Sequence, residues 1–167
     1  MSSFVTFYVL PEAKRLEFVE AQRKQKTVTY KRGFFGTKEV VTGERFLWEY
    51  LDSETADKVD LPFSGFVFID YFLTFVAERL PEPLKAALED AMADEHYLVF
   101  SKDQAASFAA YLQLNPPKTV DLEAFATEHQ PEGGQEYIQC LRETHAFLQT
   151  WFGDIGTTKF GVVHLTF

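Results

Sequence analysis

Two apolar runs at opposite ends of the chain limit its fold more than anything between them. Phe4 to Leu10 is an almost unbroken β-prone run, and in Phe160 to Phe167 the residues Val163, Leu165 and Phe167 alternate with His164 and Thr166. A strand that is apolar on both faces must be covered on both, so the two runs are expected to share one sheet, in interior positions. The cover is expected from Phe66 to Leu80, apolar on nearly every side until Glu78 and Arg79, which is the pattern of a helix running through the core. These elements predict an α+β fold: a small mixed sheet using the N- and C-terminal strands, packed with four to five helices, in one globular domain over 1–167.

Shorter signals fill the interval. Pro11 suits the first position of a helix because its missing N–H costs no hydrogen bond there, and Glu12 favours the positive end of the helix dipole. Thr27 to Lys31 and Glu39 to Thr42 read as strands around the turn Gly33-Phe34-Phe35-Gly36. A short aromatic segment, Phe46 to Leu51, precedes the acidic stretch Asp52 to Asp60, expected as a solvated loop. Pro83 opens a helix with Leu84, Leu88 and Met92 at four-residue intervals and Glu89, Asp90, Asp94 and Glu95 facing outward. Tyr97 to Phe100 is a strand, and Ser101-Lys102-Asp103-Gln104 has the form of a capping box ahead of a helix with Ala105, Phe108, Ala109 and Leu112 inward. Asp121 is expected to cap a helix through His129, and a long helix from Gln135 to Phe152 to stop at Gly153.

Phenylalanine occupies 18 positions, more than lysine and arginine together at 16. Phe offers no donor, acceptor or proton, so this content serves a dry core or an apolar contact surface rather than chemistry. The single cysteine, Cys140, rules out an internal disulfide framework and fits a reducing compartment. The N-terminal residues lack the basic start and small-residue cleavage site of a secretory signal, so a cytoplasmic location is expected. Phe63 to Ala77 is too short for a bilayer and carries Asp70, so no membrane contact is expected. The net charge of −9 is unevenly placed: residues 1–45 hold nine basic against five acidic residues, the remainder seven against twenty. An acidic body repels nucleic acid at long range, which leaves only a weak contact through the basic segment 14–38. Lysines and arginines in a helix and a hairpin are also simply solvated faces.

Chemical motifs are sparse. An EF-hand counted from Asp52 fails, since Ala56 stands at the fifth position, Asp57 at the sixth and Phe63 at the twelfth, where an oxygen ligand, a glycine and a glutamate are required. No phosphate-cradling glycine loop, His-Glu-x-x-His or nucleophile elbow occurs. Cys140 and His145 fall about 140° apart around one helix and cannot act on each other. Asp70 is the most informative charge, because a carboxylate in an apolar helix must be paired, hydrogen-bonded, protonated or placed in a first turn. An enzyme would be built on Asp70 with His96 or His164 brought near by folding. Contact candidates are Phe34 and Phe35 at the hairpin tip and Asp90 and Asp94 on an outer helix face; no metal site and no cofactor are expected.

Phe7-Tyr8-Val9-Leu10-Pro11-Glu12, Ile69 to Thr74, Tyr97 to Ala109, Leu141 to Leu148 and Val162 to Leu165 follow an order that resembles the YfbM-like family of small bacterial proteins. The basic hairpin and the pair Tyr71-Phe72, where that family is expected to carry a tryptophan, depart from its pattern. The resemblance implies an α+β fold and brings no catalytic residues. The charge distribution, the aromatic excess and the missing motifs favour a binding or interaction module, accessory or immunity-like, that docks a basic protein partner.

Overall fold

The terminal runs pair residue for residue, from Phe4 opposite Thr166 to Pro11 opposite Lys159. The computed structural model describes residues 3–33, 36–54, 57–61 and 64–166. Within these, the strands are β1 (Phe4–Pro11), β2 (Thr27–Gly33), β3 (Gly36–Thr42), β4 (Asp57–Asp60), β5 (Tyr97–Phe100) and β6 (Lys159–Thr166). Four form a sheet in the order β4-β1-β6-β5, while β2 and β3 make a separate two-stranded arm. The α+β class holds, but every pair in the four-stranded sheet is antiparallel instead of mixed. The helices between β5 and β6 return the chain to the end it left, where Phe100 faces Gly161.

Seven α-helices are described: α1 (Arg15–Arg23), α2 (Leu47–Glu54), α3 (Gly65–Phe68), α4 (Glu82–Ala91), α5 (Lys102–Leu114), α6 (Thr119–His129) and α7 (Gly134–Ile155). Alternation along the strands sends Val5, Phe7, Val9, Leu98, Phe100, Val163 and Leu165 to one face, where they join the main core with α3 and α5 to α7. Tyr8, Leu10, Tyr97, Phe160 and Val162 point the other way, onto Phe18 of α1 and Leu47 and Leu51 of α2. Both faces of β1 and β6 are therefore covered, as their two-sided apolarity requires. Gly161 permits this packing, because a Cβ there would lie 2.5 Å from Ile155 Cδ1 and 2.6 Å from Trp151 Cη2.

The central helix departs from a regular α-helix. α3 continues without a break into a π-helical stretch, Ile69–Val76, and a 3-10 turn, Ala77–Arg79. Along it the ring pairs Phe68/Phe72 and Tyr71/Phe75 stack with centroids 5.6 and 5.7 Å apart. Phe72 is fully buried, against the rings of Phe100, Phe108 and Phe152.

Other expectations need correction. Pro11 closes β1 instead of opening a helix, and a 3-10 turn, Glu12–Lys14, leads into α1. The acidic stretch is not one loop: Asp52 to Glu54 end α2 and Asp57–Asp60 is the edge strand β4, whose exposed side chains tolerate charge because backbone pairing with β1 holds the strand. Met92 is 49% exposed, since α4 stops at Ala91 and Met92 instead forms a β-bridge with Leu98. Asp121 lies in the first turn of α6, after Lys118, and no side chain caps that helix. Gly153 lies within α7, which continues to Ile155 and ends at Gly156, where φ is +57°. The capping box forms as expected, with Ser101 N–H donating to Gln104 Oε1 at 2.8 Å and Gln104 N–H to Ser101 Oγ at 3.3 Å.

Candidate functional site

The second face of the sheet is covered unevenly. α1 and α2 close over Leu10, Phe160 and Val162, whereas Thr6, Tyr8, His164 and Thr166 face a cleft of about 780 Å³ whose far wall is the root of the arm, Lys26 to Thr29. The arm root is fixed by Lys26 N–H donating to Arg45 O and Glu44 N–H to Lys24 O. Gly43, at φ +93°, packs so closely on Gln25 that any Cβ would strike its carbonyl.

The polar centre of the cleft comes from strand register. Tyr8 and Lys58 are directly opposite on β1 and β4, so both side chains reach the same side of the sheet, where α2 presents Asp52. Asp52 Oδ1 accepts hydrogen bonds from Tyr8 Oη and Lys58 Nζ, each at 2.9 Å. Burial opposes ionisation of Asp52, but these two donors outweigh it and hold the carboxyl below its ordinary range. Burial, followed by the bond to Asp52, pushes the Tyr8 hydroxyl up. Asp94 caps its own turn, accepting the His96 and Tyr97 N–H groups at 2.7 and 2.9 Å, and takes Gln25 Nε2 from the arm side at 3.4 Å.

Aromatic rings form the remaining walls. The His164 imidazole stacks on Tyr97, centroids 4.6 Å apart and planes 7° off parallel. Burial, with His96 as a second cause, lowers the His164 pKa to about 4 against the pull of Asp52 and Asp94. The ring is therefore neutral at pH 7. A base with a conjugate acid this strong abstracts protons poorly at neutral pH, so His164 is suited to recognition, offering one donor and one acceptor. Phe46 and Trp48 stack at 6.0 Å, and the Lys26 ammonium lies 5.0 Å from the Phe46 ring centre.

The structure divides the sequence-derived candidates. Asp70 lies on the opposite face of the sheet, accepting the Tyr137 hydroxyl at 2.6 Å, so it does not meet His164 or His96. His96 stands near the cleft mouth with Glu95 3.5 Å away, and Asp94 lines the cleft. Asp90 instead takes Gln104 Nε2 at 2.9 Å, and Phe34 and Phe35 lie outside the described residues. His145 is buried in a 2.6 Å hydrogen bond with Tyr71, and burial raises the Cys140 thiol. Among the described residues no group of three His, Cys, Asp or Glu side chains could hold a metal ion. No described helix is long and apolar enough to cross a membrane.

Tyr8, Lys58 and Trp48 carry no signal in the sequence, and Asp52 stands out there only as the first position of a calcium loop that fails. Tyr8 sits in an apolar run and Lys58 in an acidic stretch, and only their cross-strand register brings them together. Comparisons with protein-family models, with curated proteins and with solved structures each find no match, so the cleft is read from its own chemistry.

Proposed function

We propose that the protein is a binding module, of the accessory or immunity-like kind, whose cleft receives a positively charged segment of a partner protein. The observation that carries this reading is the composition of the cleft: Asp52, Asp94 and Glu95 against Lys26 and Lys58, with Trp48, Phe46 and Tyr97 as aromatic walls. Asp52 and Lys58 neutralise each other, which leaves Asp94 and Glu95 against Lys26, and neutral His164 adds no repulsion. Aromatic faces beside carboxylates suit a lysine or arginine side chain, through cation–π contact on the ring and an ion pair at the tip. The Lys26 ammonium on Phe46 is an internal example of the first contact.

A titration with a labelled lysine- and arginine-rich peptide tests the proposal. Trp48→Ala with Glu95→Lys is expected to weaken binding tenfold or more, because one removes a wall and the other reverses a rim charge. Glu128→Lys with Glu132→Lys, at exposed positions away from the cleft, is expected to leave most of the affinity. Equal losses in the two pairs, or no binding of the peptide by the wild type, would remove the cleft from consideration.

A further inference from the structure

The arm is chemically distinct from the cleft at its root. Most cations of residues 1–45 are neutralised or held: Lys14, Arg15, Arg23 and Lys24 pair with nearby glutamates, Arg45 donates to Glu49 O and Ser53 Oγ, and Lys26 lies on Phe46. Lys31, Arg32 and Lys38 form no ion pair among the described residues. All three are exposed on the outer half of the arm, and Lys31 stands directly opposite Lys38. Like charges in that register repel, and an anion between them removes the repulsion. On the other face of the ribbon, Tyr30 and Arg32 are neighbours two residues apart, and Tyr30 is 71% exposed.

We propose that the outer half of the arm is a contact site for single-stranded nucleic acid, with Tyr30 as a stacking platform and Lys31, Arg32 and Lys38 on phosphates. An exposed aromatic ring with Arg32 on its own face, and Lys31 and Lys38 on the reverse face of a two-stranded ribbon, matches the way unstacked bases and their backbone are held, although Glu39 stands opposite Tyr30. A duplex has no free base face for Tyr30, and an acidic protein would engage the cations and leave the ring unused. Much of the negative charge lies on α4, α6 and α7, around the main core on the other side of the sheet, while the arm root borders the second face. Within the two arm strands Lys31, Arg32 and Lys38 stand against Glu39 alone, so the arm carries a local net positive charge, and screening over about 8 Å at physiological salt leaves that local charge to set the field there. This site goes beyond the cleft and uses different residues.

The test is fluorescence anisotropy of the full chain with a labelled oligo(dT) of about twelve nucleotides, a length within the site sizes of single-strand binders. Three phosphate contacts on a single strand predict a log–log salt slope of about −2.1, hence about 70-fold weaker binding at about 150 mM than at about 20 mM salt. Tyr30→Ala is expected to lose about tenfold with the slope unchanged, as for one stacked base. The charge reversals Lys31→Glu, Arg32→Glu and Lys38→Glu together are expected to abolish binding while thermal melts confirm the fold. The proposal is overturned by no binding at the lower salt, by a triple variant that binds like the wild type, by a duplex of the same sequence binding as tightly, or by polyglutamate displacing the label as well as unlabelled oligo(dT).

Discussion

His164 illustrates how placement outweighs residue type in this protein. The same imidazole on a loop would titrate near its ordinary value of about 6.5, whereas stacked on Tyr97 and shielded beneath the cleft it is pushed down to about 4. In the folded state it stays neutral where the unfolded chain would already bind a proton. Its contribution to stability is therefore complete above pH 6.5 and is lost as pH falls toward 4. Burial lowers the pKa of His145, hydrogen-bonded to Tyr71, and adds in the same direction. Two results are expected: the His164 ring protons shift in an NMR titration only near pH 4, and His164→Gln flattens the fall in melting temperature between pH 6.5 and 4. A ring that titrates above pH 6 would place His164 in open solvent and dismantle this account of the cleft.

At the level of elements, the central helical segment carries the core. Phe72 touches Phe68, Phe100, Phe108 and Phe152, residues from α3, β5, α5 and α7, so truncating it opens a cavity that several elements must share. Phe72→Ala is expected to destabilise by about 3–5 kcal/mol in denaturant melts, and a loss under about 1 kcal/mol would make the segment peripheral. Elements whose own side chains state their burial were legible in sequence: β1 and β6 from two-sided apolarity, β5 from its short apolar run, and α5 from its capping box and inward stripe. Elements held mainly by backbone pairing were not. β4 carries three charges in four residues and is a strand because β1 offers it an edge. The π-helical winding left no signal either, since an apolar run reads alike in both helices. The cleft was hidden for the same reason as β4, because Tyr8, Lys58 and Asp52 converge through sheet register rather than sequence spacing.

Over the whole molecule, charge is segregated more sharply than the net value of −9 conveys. The cations of α1 and of its flanks, Lys14 and Lys24, are consumed locally by Glu12, Glu17, Glu20 and Glu54, so little of the N-terminal positive charge outside the arm reaches solvent unpaired. The acidic body is by contrast poorly neutralised: on α6 and α7, Glu123, Glu128, Glu136 and Glu143 face solvent with no ion pair among the described residues. A surface of this kind accelerates encounter with a basic partner before any contact forms, and the cleft then sets how long the partner stays. Stopped-flow association with a basic peptide should therefore slow steeply as the Debye length shrinks from about 30 to about 10 Å, while the dissociation rate changes far less. The Glu128→Lys and Glu132→Lys pair should lower the association rate modestly, by about twofold at most, and Trp48→Ala should raise the dissociation rate, because one alters the long-range field and the other a contact made only in the complex. An association rate indifferent to salt would mean that the acidic body serves solubility alone.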